Sequence, residues 1–312
     1  MAYFDLPSAV IKRAHSLGES GRAWLEGLPA VVDELKALWG FRVGHVLAGG
    51  SEALVIETVT RQEEPTILKV GLPGSADLAL EARVYRAADG HGYARLHAHS
   101  RAHNALLLER LGAPLGKRGF GPAAELERLF ETLTAAWRAP TDDLQGEAMS
   151  GAEKAGWLID FIETTWRDEG QPCARAPVDR AIGYAESRAA AYGSAEHVLV
   201  HGDAHSLNAL SVLGDEHTFR FVDPDALIAE RACDLAVPMR ENNRELLEGE
   251  PVKDSLARCR LLAELGGASA QAVWEWGYVE RVSTGLVHFA IDMADEGRPY
   301  LEVAERLSDV SP

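Results

Sequence analysis

VLVHGDAHSLNALSVLGDEHTFRFVDPDAL, residues 198–227, decides how the rest of the chain is read. Two short apolar runs flank Gly214–Asp215, so its middle reads as two strands around a turn. Asp203 stands five residues before Asn208, and Asp223 follows fifteen residues later, at the end of the apolar run FRFV. One carboxylate can accept or orient a hydroxyl proton. The amide oxygen and the other carboxylate can hold a hard divalent cation, which prefers oxygen ligands. Asp215 falls in the turn itself, where Asp is a common residue. Asp225, beside Pro224, fits a turn acid or a further member of the site.

Upstream, SGRAWLEGLPAVVDELKALWG (20–40) repeats apolar residues at helical spacing through Trp24, Leu28, Val31 or Val32, Leu35 and Leu38. The period then changes. FRVGHVLAGGSEALVIETVT (41–60) reads as strand, Gly-rich turn, strand, and PTILKVGL (65–72) as a third strand. SADLALEARVYRAAD (75–89) is a helix capped by Ser75 or Asp77. YARLHAHS and HNALLLERL form a hairpin ending at Leu111. From Gly112 the reading is helical over 121–138, 150–168, 176–192, 252–265 and 268–294, broken by the opening stretch. The expected fold is α+β and two-lobed: a small antiparallel sheet with N-terminal helices over residues 1–111, and a larger helical lobe over 112–312.

Lys69 sits inside the apolar strand ILKV, where a buried ammonium is costly unless paired. Glu81 on the following helix is its natural partner. Gly49, Gly50 and Ser51 lie at a strand turn whose backbone N–H groups could face a phosphate. Each element is common alone. In order, a Gly turn, Lys, Glu, a connecting strand, His-x-Asp, Asn and Asp give the spacing of a kinase nucleotide site and catalytic loop.

HGDAHSLN, FVDPD and AERACDLA resemble the aminoglycoside phosphotransferase family, which has a protein-kinase-like fold. GRAWLEGLPAVV (21–32), LLLERL (106–111) and VDPDAL (222–227) are similar to the streptomycin 6-phosphotransferase and hydroxyurea phosphotransferase branch. The resemblance implies ATP and Mg²⁺, with Asp203 as catalytic base and Asn208 and Asp223 as Mg²⁺ ligands. Lys69 would contact the α- and β-phosphates, held by Glu81. Glu109 and Leu111 would belong to the linker whose backbone meets the adenine. His201 would pack and bond the catalytic loop, His205 would be structural or lie near the phosphates, and Asp234 would brace the loop from inside. Two departures stand out. The Gly turn lacks a G-x-G-x-x-G pattern, and AER replaces the Gly-Asp-Pro that often precedes DLA in the family.

The 48 acidic and 31 basic residues leave a formal charge of −17, which repels nucleic acid and anionic membrane and attracts a small cation. No protein partner is implied. Three scattered cysteines, Cys173, Cys233 and Cys259, make neither a disulfide framework nor a zinc site. No signal peptide and no apolar run of membrane-spanning length is evident, so a cytoplasmic location is expected. GAPLGKRG (112–119) is one residue short of a phosphate-binding Walker loop and has Arg118 where Ser or Thr is required. His91, His97, His99 and His103 read as a polar hairpin edge rather than a zinc site.

The expected substrate is small, hydroxylated and cationic, most specifically streptomycin. Glu241 and Glu245, with Asp292, Asp295 and Glu296, are the acids expected to meet it. Asp292 and Glu296, four apart, would share one helix face. Trp274, Trp276 and Tyr278 are expected in the core. Another hydroxylated metabolite such as hydroxyurea or a sugar is the alternative substrate. A catalytically dead nucleotide-binding pseudokinase is the alternative class, disfavoured because Lys69, Asp203, Asn208 and Asp223 are all present.

Overall fold

The computed structural model describes residues 4–48, 50, 52–74, 78–194 and 196–312. The chain divides into two compact units, residues 1–113 with 210–223, and residues 114–209 with 224–312.

The first unit opens with α1 (Ser8–Ser16) and α2 (Glu19–Trp39), followed by β1 (Phe41–Val46), β2 (Ala53–Thr60) and β3 (Pro65–Gly71). After α3 (Leu78–Ala88) come β4 (Leu96–Ser100) and β5 (Ala105–Glu109). The five strands form one antiparallel sheet in the order β1-β2-β3-β5-β4. Three strands, a helix and two more strands are what the alternating periods predict. Strand alternation explains the layering. Leu54 and Ile56, Leu68 and Val70, and Ala105 and Leu107 all turn to one face, where they pack with Leu28, Val32 and Leu35 of α2. Lys69, paired in register with Val55 and Leu106, takes the opposite face. Ser75 and Asp77, the expected cap of α3, lie outside the described residues.

The second unit begins with α4 (Pro122–Ala136), β6 (Met149–Ser150), α5 (Gly151–Asp168), α6 (Arg175–Ala191) and β7 (Val198–Val200). A Ser150–Glu153 capping box starts α5. The next two strands, β8 (Ala209–Val212) and β9 (Asp215–Phe221), are the hairpin read around Gly214. Residues 210–223 group with the first unit, where the Ala94 N–H donates to Phe221 O and the Phe221 N–H to Gly92 O. The chain then returns to the second unit through β10 (Leu227–Ala229), which pairs with β6 and β7. It continues as α7 (Ala232–Arg240), α8 (Asn243–Glu248), α9 (Pro251–Gly266), α10 (Ala270–Ala290) and α11 (Ala294–Leu307). Helix α10 is buried nearly all round, and Trp274, Trp276 and Tyr278 are in the core as expected.

One expectation is corrected here. The helix read through residue 294 ends at Ala290. Asp292 takes a left-handed conformation (φ 60°), which an α-helix cannot continue through, and α11 starts anew at Ala294. Asp292 and Glu296 therefore do not share a helix face.

Candidate active site

In the first unit, the Lys69 ammonium donates to both Glu81 carboxylate oxygens, at 2.9 and 2.7 Å, and to Asp223 Oδ1 at 2.6 Å. Strand β3 aims the lysine and α3 supplies the glutamate, as the buried-charge argument requires. Burial works against the Lys69 charge, but Glu81 and Asp223 outweigh it and raise the lysine pKa above its ordinary value. Asp223 ends its hairpin with φ 56° and a half-exposed carboxylate. Tyr85, not singled out from sequence, adds its hydroxyl to the cluster. It donates to Glu81 Oε1 (2.9 Å) and accepts the Asp223 N–H (3.1 Å). The available signal was spacing, since Tyr85 follows Glu81 by four residues on one helix face.

The other nucleotide-site candidates in this unit fall in two places. Gly50 is exposed with φ 72°, a conformation suited to glycine, while Gly49 and Ser51 lie outside the described residues. The Glu109 side chain is already occupied, accepting the Arg95 N–H and pairing with Arg220 on β9. Leu111 is buried, and its carbonyl accepts from the Arg110 guanidinium.

In the second unit the loop after β7 is tied down almost atom by atom. Asp234, fully buried in α7, accepts the N–H groups of His201 (3.0 Å) and Gly202 (2.9 Å) and the Trp137 indole N–H (2.8 Å). It braces the loop as expected. Gly202 has φ 91°, and a Cβ there would lie 2.7 Å from that of Asp225, so only glycine fits. The Asp203 N–H donates to His201 Nδ1 (3.2 Å), and Asn208 Nδ2 donates to the Asp203 carbonyl (3.1 Å). That bond orients the Asn208 amide and leaves its oxygen as an acceptor. The Asp225 N–H donates to the His201 carbonyl (2.8 Å), and burial pushes the Asp225 carboxyl up from its ordinary value.

Asp203 is held from both sides. Arg240 donates to Oδ1 at 2.6 Å, and His205 Nε2 lies 3.2 Å from Oδ2. Because His205 Nδ1 accepts the Leu207 N–H, Nε2 carries the proton of the neutral ring. Burial opposes the Asp203 charge, but His205 and Arg240 hold its pKa well below the usual carboxylate range. Behind Arg240, Glu280 of α10 bridges Arg240 (2.8 Å) and Lys154 of α5 (2.7 Å). Lys154 also donates to Gly202 O (3.2 Å). Sequence reasoning missed Arg240, Glu280 and Lys154. One signal existed: Lys154 lies on the same helical stripe as Gly151, Ala155, Leu158 and Ile162, where a charge needs a partner.

The expected substrate acids also lie in this unit and are partly answered by arginines. Glu241 sits beside Arg240 (3.5 Å), Glu296 pairs with Arg244 (3.0 Å), and the Asp295 carbonyl accepts from the same Arg244 (3.2 Å).

Among the described residues, no three His, Cys, Asp or Glu side chains converge as a metal cage. The Asn208 amide in the second unit and the Asp223 carboxylate in the first each offer an oxygen uncommitted among the described residues, the kind of ligand a hard cation takes. No helix among the described residues is long and apolar enough to cross a membrane.

No protein-family model matches the chain. Among curated proteins, it is 24% identical over 275 residues to a streptomycin 6-kinase of Streptomyces glaucescens, covering 88% of this chain and 87% of that one. It is 32% identical over 240 residues to a hydroxyurea phosphotransferase of Kitasatospora aureofaciens, covering 75% and 67%. Among solved structures, a macrolide 2′-phosphotransferase of Brachybacterium faecium superposes with a TM-score of 0.58 at 13% identity, covering 92% of this chain and 99% of that one. An aminoglycoside phosphotransferase of Streptomyces rimosus, solved with ADP and streptomycin, gives 0.53 at 16% identity, covering 82% and 98%. The fold is that of the kinase-like phosphotransferases. The chain belongs to the aminoglycoside phosphotransferase family, in the branch of the streptomycin 6-kinases and hydroxyurea phosphotransferases, and is an enzyme that transfers phosphate to a hydroxyl group.

Proposed function

We propose that the protein is an ATP- and Mg²⁺-dependent O-phosphotransferase whose acceptor is a small hydroxylated cation, streptomycin in the first instance. Residues 1–111 would serve nucleotide binding, and residues 112–312 would carry the catalytic loop and the acceptor site. The observation that carries the reading is the state of Asp203. It is an ionised carboxylate whose backbone is fixed by His201 and Asn208 and whose side chain is held by Arg240 and His205.

Asp203 would take the proton of the acceptor hydroxyl as its oxygen bonds the γ-phosphorus of ATP and the bond from that phosphorus to the departing ADP oxygen breaks. A low pKa is no obstacle, because phosphoryl transfer depends mainly on positioning and charge neutralisation. Lys69, kept charged by Glu81, offers its ammonium to the α- and β-phosphates. Asn208 and Asp223 would hold Mg²⁺, which when bound neutralises charge developing on the phosphates. Backbone N–H groups at Gly49, Gly50 and Ser51 would cover the phosphates. The backbone around Glu109 and Leu111, rather than the occupied Glu109 side chain, would meet the adenine. Glu241, Asp292, Asp295 and Glu296 would attract the cationic acceptor.

The 32% identity to a hydroxyurea phosphotransferase favours a second reading, in which hydroxyurea is the acceptor. Incubation with ATP, Mg²⁺ and a panel of streptomycin, other aminoglycosides and hydroxyurea, read by mass spectrometry, separates the two. A phosphate mass gain on streptomycin alone supports the first reading, and a gain on hydroxyurea alone supports the second. Asp203→Ala is expected to abolish turnover while leaving ADP affinity within about twofold. Near-normal turnover would remove Asp203 from its role.

A further inference from the structure

We propose that Tyr85 is a positioning residue that fixes the backbone of Asp223 through its phenolic hydroxyl; the inference rests on the reading of Asp223 as a metal ligand. Three observations lead there. The direction of both hydrogen bonds is dictated by chemistry: a main-chain N–H can only donate, and an ionised carboxylate can only accept. The hydroxyl therefore donates to Glu81 and accepts from the Asp223 amide.

The ring itself cannot wander. It is fully buried, stands edge-on to Tyr93 (centroids 6.4 Å apart, 78° between planes), and Tyr93 in turn packs against Phe221 at 6.1 Å. Phe221 lies two residues before Asp223, so one aromatic row fixes both the tyrosine and the strand end it bonds.

Asp223 also needs a tether. Its φ of 56° is a left-handed conformation that costs a residue with a Cβ and persists only where the surroundings impose it. Two groups do so: Lys69 on Oδ1 and Tyr85 on the amide. Among the described residues, Oδ2 has no partner. A phosphate competing for the Lys69 ammonium weakens the first tether and leaves the second intact. The tyrosine thus keeps Asp223 in place when the lysine is drawn to substrate.

The test uses the full chain and reads binding, not turnover. ADP affinity is measured by calorimetry with Mg²⁺ and again in EDTA, for the wild type, Tyr85→Phe and Asp223→Asn. Asp223→Asn is expected to abolish the Mg²⁺ enhancement. Tyr85→Phe is expected to reduce the enhancement about tenfold, with affinity in EDTA within about twofold of wild type. If Asp223→Asn loses the enhancement but Tyr85→Phe keeps it, the role of Tyr85 is overturned while that of Asp223 stands. If both keep it, the metal-ligand reading falls, and Tyr85 with it. Equal losses with and without Mg²⁺ in Tyr85→Phe would mark a merely structural tyrosine and also overturn the proposal. Should Tyr85→Phe melt early, p-fluorophenylalanine at position 85 fills the hydroxyl volume without the bonds and takes its place under the same criteria.

Discussion

Asp203 is set apart from its acidic neighbours by what touches it. His205 and Arg240 hold its pKa below the ordinary value of about 3.9. A depressed carboxylate contributes stability above that ordinary value and loses it as pH falls through the folded one. In activity the same shift means that Asp203 imposes no acid limb on kcat above about pH 4. Arg240→Met removes one of the two lowering partners. The Asp203 pKa should climb toward its ordinary value, and the acid limb in the pH profile of kcat should move to higher pH with it. A profile unchanged in position would show that Arg240 does not set the ionisation of Asp203. The Asp, Asn and Asp of this stretch were legible because spacing along one chain segment encodes them. Arg240 was not, since it lies 37 residues from Asp203 and meets it only through the packing of α7.

At the scale of elements, strands β1 to β5 and α3 were readable because each changes hydrophobic period at its ends. The break between α10 and α11 was not readable, since Asp292 imposes it through backbone conformation, with neither Gly nor Pro at the break itself. The ion pair joining α5 to α10 was also hidden. Its lysine and glutamate lie on apolar helix faces and make sense only together, with Lys154 9% and Glu280 6% exposed in their side chains. Burial would raise Glu280, yet Lys154 and Arg240 hold it below its ordinary value. Lys154→Met should therefore leave a buried carboxylate half-compensated and destabilise the protein by about 3 kcal/mol, measured by urea unfolding. Lys154→Met combined with Glu280→Leu should cost less than the sum of the single changes. Strict additivity would mean that the two side chains do not interact.

For the whole molecule, the charge of −17 is a property of the field rather than of any contact. It should draw a cationic acceptor to the protein, and salt should screen that attraction, with a Debye length of about 8 Å at physiological ionic strength. If streptomycin is the acceptor, its KM should rise several-fold between about 0.02 and 0.3 M salt. The KM of an uncharged acceptor such as hydroxyurea should stay nearly constant. A salt-independent KM for streptomycin would confine recognition to short-range contacts. Composition made this field legible at once; it could not say which acids are free, because Arg244 and Arg240 engage Glu296, Glu241 and the Asp295 backbone.

The segment from His201 to Asn208 has no regular secondary structure, yet most of its amide hydrogens are spoken for. Those of His201 and Gly202 go to Asp234, that of Asp203 to the His201 ring, that of His205 to the Asp203 carbonyl and that of Asn208 to the His205 carbonyl. In deuterated water such a loop should exchange as slowly as the helices around it, against the usual behaviour of irregular segments. Mass spectrometry of its peptides would see this directly. Asp234→Asn, which puts an amide where one of the two carboxylate acceptors stood, should release at least one of the first two amides to fast exchange.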